Sequence, residues 1–203
     1  MTKSRLEAFS DGVLAVIITI MVLEIKVPHE EGLAALLELA PKLCGYLVSF
    51  VYIGIYWNNH HHLMHLASRI DGGVMWANLH LLFWLSLVPM CTGWAGEHPS
   101  APWPAAIYGV VLFMSGVSWL ILQHTLIRRN GGRDSALAKA VGRDMKGNVS
   151  AVLYLSAIGL AFVHAFIADI IYMAVAMIWL VPDRRLERHM DDEGKRGDDE
   201  AKT

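Results

Sequence analysis

Apolar residues in this sequence arrive in blocks, and the blocks are about as long as a bilayer is thick. A helix rises about 1.5 Å per residue, so crossing the hydrocarbon core takes about 20 predominantly apolar residues. Leu6–Val27, Pro41–Trp57, Val74–Trp94 and Trp103–Ile127 each read as one crossing. A further block, Val149–Val181, is long for one crossing and short for two. Of the 203 residues, 55% are hydrophobic and 18% charged, whereas soluble domains carry about 45–50% and about 25%. With the excess gathered in blocks, a disordered chain, a coiled coil and an ordinary soluble enzyme are excluded. The net charge of −2 gives no basic field that would hold nucleic acid. Cys44 and Cys91 both fall inside apolar blocks and read as small buried packing residues, not as a disulfide framework. The sequence predicts an all-α integral membrane protein.

Charge placement sets the number of crossings, because Lys and Arg are retained on the cytoplasmic side. Lys3 and Arg5 precede the first block and Arg69 lies between the second and third. The segment between the first two blocks carries Lys26 and Lys42 among Glu24, Glu30, Glu31 and Glu38, and Ala95–Pro102 carries no basic residue. Arg128, Arg129, Arg133, Lys139, Arg143 and Lys146 crowd the next connection, and Arg184, Arg185 and Arg188 follow the last block. Both ends of the long block are thus basic, so the chain is expected to cross twice within it, with a break near His164–Asp169. The count is six spans with both termini cytoplasmic, which describes a multi-pass protein of the cell membrane. Residues 1–182 then form one transmembrane domain and 183–203 a charged cytoplasmic tail. The first block is read as retained: Asp11 interrupts it, and Glu24-Ile25-Lys26-Val27-Pro28 offers no small-residue cleavage site.

Asp11, inside the first block, is the residue that most demands an explanation, since an ionisable group within a span costs about 2.5–3.5 kcal/mol on insertion scales. At about 100° per residue, Gly12, Val16, Thr19, Ile20 and Leu23 share one stripe, and Asp11 lies about 140° around from Val16. One face is therefore expected to carry an acid toward the protein interior, the other a row of small and branched side chains. On the residues alone two readings stand. Asp11 caps the helix near the interface while the stripe packs against another helix, or the two faces serve separate tasks.

Arg5-x-x-x-Phe9-Ser10-Asp11-Gly12, followed by Ile18-Thr19-Ile20-Met21-Val22-Leu23-Glu24-Ile25-Lys26-Val27-Pro28, resembles the signature first helix of the transmembrane protein 175 potassium-channel family. The resemblance continues through Trp57-Asn58-Asn59-His60-His61-His62, Asn78-Leu79-His80 with Trp84, and the closing Val181-Pro182-Asp183-Arg184-Arg185. With a single Phe-Ser-Asp motif and no internal repeat, the chain is similar to the bacterial single-repeat form, a homotetramer. The resemblance implies a potassium channel in the bilayer, needing no cofactor, with the first helices around a central pore. It places the constriction, acting as filter and gate, at Val16, Thr19 and Leu23, with Ile20 on the same stripe. It assigns Arg5, Phe9, Ser10, Asp11 and Gly12, with His80 and Trp84, to a structural network that holds the pore helix. Candidate donors to Asp11 are Arg5, His80, Trp84 or a neighbouring chain.

Rival functions find less support in the residues. His60, His61, His62 and His65 suggest a metal box, and His61 and His65 are one turn apart. No second box, cysteine ligand or nearby carboxylate completes it, so the cluster reads as a polar, hydrogen-bonded helix end and neither an enzyme nor a metal site is expected. His80, His124 and His164 are isolated, and His98 is in a loop. The alternative function is an ion-coupled secondary transporter, or a proton or metal-cation transporter using the intramembrane Asp and His residues. Such folds pair internal repeats with broken helices around a midplane polar site. Here Pro89 in the third block and the break in the last are single features.

Overall fold

The computed structural model describes residues 2–28, 32–142 and 144–180, and these are helical with no strand among them. The helices are α1 (Lys3–Leu23), α2 (Leu33–Glu38), α3 (Ala40–Leu66), α4 (Gly72–Ser86), α5 (Val88–Glu97), α6 (Pro102–Arg129), α7 (Ala136–Val141), α8 (Met145–Leu160) and α9 (Ala165–Leu180). The charged tail and the Val181 to Arg185 motif lie outside the described residues, as do Glu30, Glu31 and Arg143.

Local chemistry explains where these helices begin and end. Asp71 accepts from the Val74 N–H at 3.0 Å, Ser135 from Ala138 at 3.1 Å and Asp144 from Gly147 at 2.7 Å, each satisfying a first-turn donor. Pro41, Pro89 and Pro102 sit in first turns, where a missing N–H costs nothing. After α6, Gly131 and Gly132 take φ of 106° and 70°, a left-handed pair that turns the chain toward α7.

Among the described residues, three segments are long and apolar enough to cross a membrane: Lys3–Leu23, Gly72–Glu97 and Pro102–Arg129. Ala165–Leu180 is apolar but shorter. The third expected crossing is jointed at Leu87, because Pro89 offers no N–H to the preceding turn and its ring crowds that turn's carbonyl. The long block also breaks as the charge pattern requires, although at residues 161–164 and not at His164–Asp169. There His164 closes the joint, its Nδ1 accepting from the Phe166 N–H at 3.3 Å and so capping the start of α9. α3 runs to Leu66, well past Trp57, so Asn58 to His65 continue the helix. Cys91 is buried as expected, whereas Cys44 is exposed on the outside of the single chain, which corrects its assignment to the core.

The core lies between α4, α6, α8 and α9, with Leu85, Leu112, Leu122 and Leu126 fully buried and α1 and α3 packed alongside. Buried hydroxyls pin these helices together. The Thr92 hydroxyl donates to the Val88 carbonyl at 2.8 Å, so Ser49 donates to Thr92 at 2.7 Å and Tyr108 donates to Ser49 at 2.8 Å. Tyr154 donates to the Tyr52 hydroxyl at 3.3 Å, Tyr52 to the Tyr172 carbonyl at 2.6 Å, and Tyr172 to the Ala105 carbonyl at 3.0 Å. In hydrocarbon each such group needs an internal partner, and here each has one.

Tyr172 reaches Ala105 only because α6 presents Gly109, where a Cβ would collide with the Tyr172 hydroxyl and crowd Ile158. Gly109→Ala should therefore cost about 1–3 kcal/mol by overpacking, read as a lowered unfolding temperature of the purified protein. Gly116, on the same helix with open space around its Cβ position, should tolerate alanine.

Polar contacts sort the helix ends onto two sides. On one, Lys3 Nζ donates to the His65 carbonyl at 2.9 Å, and Arg129 Nε pairs with Asp71 Oδ2 at 2.7 Å. There too Asn130 Oδ1 accepts from Ser68 N and Arg69 N at 2.9 and 2.8 Å. On the other, Glu97 meets Lys26 at 3.3 Å and Lys42 at 3.7 Å.

Candidate pore helix and its anchors

α1 buries one face within its own chain and leaves the rest open. Leu6, Ser10, Leu14, Ile17 and Met21 form the buried face at helical spacing. The stripe looks away from it: Val16 is 54% exposed, Ile20 42% and Leu23 77%. Thr19 and Gly12 are exposed with them, and the Gly12 Cβ position meets nothing within 4 Å. The Thr19 hydroxyl donates to the Val16 carbonyl at 2.9 Å, which leaves its oxygen lone pairs free to accept. Beside the stripe, Phe9, Gly12, Val16 and Ile20 join Pro89 and Met90 in lining an open groove of about 820 Å³. A contiguous apolar face of this kind, on a helix rimmed by its own groove, marks a surface that meets another surface.

The interior face of α1 is centred on Ser10, not on Asp11, which corrects the expected orientation of the acid. The neighbouring residue is turned by about 100°, enough to bring Asp11 out to an exposed edge while Ser10 is fully buried. Asp11 Oδ1 accepts from the Trp57 Nε1–H of α3 at 3.0 Å. The donors considered for it do not reach it. Trp84 donates to His80 Nε2 at 3.1 Å within α4, and Arg5 is exposed with no hydrogen bond or ion pair to the described residues.

Ser10 instead anchors a three-helix chain of hydrogen bonds. Its hydroxyl donates to the Leu6 carbonyl at 2.9 Å and accepts from Asn78 Nδ2 at 2.9 Å. Asn78 Oδ1 lies 2.8 Å from His60 Nε2. Since the amide nitrogen is committed to Ser10, the amide oxygen must accept, which places the imidazole proton on Nε2. All three residues are buried. Ser10, Asn78 and His60 thereby join α1, α4 and α3. Among the histidines after Trp57, His61 stacks between Trp57 and His65, with ring centroids 6.4 Å from each. No three His, Cys, Asp or Glu among the described residues gather as a metal site.

Trp57, His60 and Asn78 are the anchors that motif reading left without a role. All three stood within the stretches that carry the resemblance, but spacing along one helix cannot tell which side chains of another will meet it.

The Trp57–Asp11 contact is a hydrogen bond to an ionised acceptor, of a kind worth about 1.5–3 kcal/mol. Trp57→Phe and Asp11→Ala should each lower stability, with the double variant costing less than the sum of the two. Asp11→Asn, which keeps an acceptor oxygen, should be milder than Asp11→Ala. A double-mutant cycle on the purified protein checks the coupling, and strict additivity would remove the contact.

Comparison with known proteins supplies a context for this helix. The family model described as "Endosomal/lysosomal potassium channel TMEM175" matches residues 5–89, which contain α1 but for its first two residues, α3, α4 and all the anchors above. A potassium channel of Chryseobacterium sp. (strain P1-3) is 48% identical over 190 residues, covering 94% of this chain and 98% of that protein. A potassium channel of Streptomyces collinus is 33% identical over 173 residues, covering 80% of this chain and 84% of that one. Among solved structures, a "lysosomal potassium-selective channel TMEM175 homolog" from Chamaesiphon minutus aligns with a TM-score of 0.75 at 30% identity, covering 88% of this chain and 96% of that chain.

Proposed function

The chain belongs to the TMEM175 family of potassium channels, and from that premise we propose that it forms a potassium-preferring cation pore lined by α1 from each of four copies. The family is one of ion channels, not of enzymes, and the chain's apolar helices make it a multi-pass membrane protein. The observation that carries the pore reading is the exposure of Val16, Ile20 and Leu23 on a helix whose opposite face is fully packed. One such helix cannot enclose a path, so several copies must contribute, and ring closure favours a cyclic homotetramer.

In this reading the chain crosses the membrane six times, with residues 1–182 as the channel domain and 183–203 as a cytoplasmic tail. Support comes from the division of the helix ends. The end of α3, the start of α4 and the end of α6 share the side that carries Arg128, Arg129 and Arg133, while Lys26, Lys42 and Glu97 meet on the other. By the retention of basic residues the first side is cytoplasmic, in the cell membrane. Val16 and Leu23 supply apolar rings that narrow the path, Ile20 backs them, and Thr19 supplies an oxygen between them. Ser10 and Asp11, through Asn78, His60 and Trp57, hold α1 in register and do not touch the permeant ion. Phe9 and Gly12 flank the stripe where the next copy of the chain packs. His80 and Trp84 brace α4, and Arg5 faces the neighbouring copy or the lipid headgroups.

Ion flux into liposomes tests this directly. The purified protein should pass potassium down its gradient with no second gradient imposed, and the current should reverse near the potassium equilibrium potential. A requirement for a coupled ion would replace the channel by a transporter. A strictly monomeric protein that still conducts would end the four-copy arrangement.

A further inference from the structure

Away from α1, the end of α6 and the turn into α4 form a corner that is tied together by one amide and rich in arginine. Asn130 Oδ1 accepts from Ser68 N at 2.9 Å, Ser68 Oγ at 3.0 Å and Arg69 N at 2.8 Å. Its Nδ2 donates to the carbonyls of Leu126 at 2.9 Å and Arg69 at 3.2 Å. Arg69, Arg128 and Arg133 stand exposed around this amide. None of the three side chains makes an ion pair or hydrogen bond with the described residues. Of the acids beside them, Asp71 is taken by Arg129 at 2.7 Å and Asp134 is exposed next to Arg133. Three unengaged guanidinium groups therefore face one unengaged carboxylate, and the corner is positive.

The same corner borders the apolar surface of the bundle. Gly73 of α4 lies beside Thr125 and Arg129 of α6, so the start of one helix meets the end of the other and the two run antiparallel. In such a pair, residues three after or four before the contact positions turn to one common side of both helices. That side carries Trp76 on α4, which is 75% exposed, and the exposed Ile121 and Arg128 on α6. Trp76 also lies about 160° around α4 from Asn78, the residue that reaches α1, so this side faces away from the candidate pore helix. An exposed indole near a helix start, next to arginines, belongs at the boundary between lipid and water.

A ligand for this corner must bring negative oxygens to the arginines and an apolar body to Trp76 and Ile121. Guanidinium groups engage phosphate oxygens through paired N–H donors. A free phosphate satisfies the first demand only, whereas a phospholipid satisfies both. A zwitterionic lipid carries its own cation beside the phosphate, which the arginines repel, so an anionic headgroup fits best. We propose that Arg69, Arg128 and Arg133 bind the headgroup phosphate of an anionic phospholipid in the leaflet that meets this end of the bundle, with Trp76 beside the headgroup and Ile121 along the acyl chain. The site does not involve α1 and stands whether or not that helix lines a pore.

The test uses the full-length protein in neutral detergent, with its unfolding temperature followed as phosphatidylglycerol, phosphatidylcholine or soluble glycerol phosphate is titrated in. Wild type should show a saturable rise with phosphatidylglycerol that the other two do not give. Arg69→Gln, Arg128→Gln and Arg133→Gln should each weaken the apparent affinity by about fivefold, the effect of one basic residue at an anionic surface. Trp76→Ala should weaken it as well, with no change of charge. Lys26→Gln removes one charge at the opposite end of the bundle, where Lys26 meets Glu97, and should leave the affinity unchanged. An equal rise with phosphatidylcholine would overturn the site. An equal rise with glycerol phosphate would also overturn it, by giving the arginines to a soluble anion. Equal losses in Lys26→Gln and the arginine variants would do the same, because net charge and not the corner would then set binding. Unchanged affinity in all three arginine variants would place the lipid elsewhere and end the proposal.

Discussion

Leu23→Ser should raise resting potassium flux several-fold, and Val16→Ser should do so to a smaller extent. Rings of Leu and Val offer no oxygen in place of an ion's water, so a narrow neck made of them dewets and resists passage. A serine hydroxyl supplies both donor and acceptor and lets water stay. Leu23 is the more exposed of the two, 77% against 54%, and removes more apolar surface from the neck when replaced. Thr19→Val should act in the opposite sense, reducing current or the preference for potassium over sodium, because it deletes the acceptor left free by the Thr19–Val16 bond. Potassium holds its hydration less tightly than sodium, so an apolar neck with one oxygen layer favours it to a moderate degree. Flux and reversal potentials of the variants in liposomes check all three. Altered stability with unchanged conductance and permeability ratio would mean that the stripe only packs helices.

Asn78→Leu should be the most damaging single change among the anchors, at about 2–4 kcal/mol. It strands the buried His60 Nε2–H and removes the donor to Ser10 Oγ together, and each buried group left unpaired costs about 1–3 kcal/mol. Ser10→Ala removes two bonds but leaves only the Asn78 amide hydrogen unmet, since the Leu6 carbonyl lies within the helix ladder, so it should cost less. Unfolding of the purified protein and the yield of assembled oligomer check the order. An Asn78→Leu protein within about 0.5 kcal/mol of wild type, the range of innocuous surface changes, would show that α1 is held by apolar packing alone.

The helical class, the interrupted last block and the exposed stripe of α1 were legible because each depends on composition or on a period along one helix. The Pro89 joint was legible for the same reason, since the missing N–H belongs to the residue itself. Asp11 was not. Whether a carboxylate faces inward depends on where a single buried face is centred, and the small Ser10, one step away, fits the contact with α4 better. Its partner was equally hidden: Trp57 is 46 residues distant, and only the way α3 crosses α1 selects it over Arg5, His80 or Trp84. His60 and Asn78 stood in plain view in the motifs, but their pairing is a property of packing. Cys44 shows the related limit that an apolar block in a membrane chain does not distinguish core from lipid-facing positions.

The joint at Leu87 divides the support of α1 between two segments, α4 and α5. The N-terminal half of α1 is fastened to α4 through Ser10 and Asn78, while its C-terminal end lies against α5, where Glu24 approaches Gly93. The proline leaves the two segments a hydrogen bond short of being one rod. In the proposed pore, Leu23 therefore stands on the part of α1 that lies against α5, and the Ser10 anchor on the part fastened to α4.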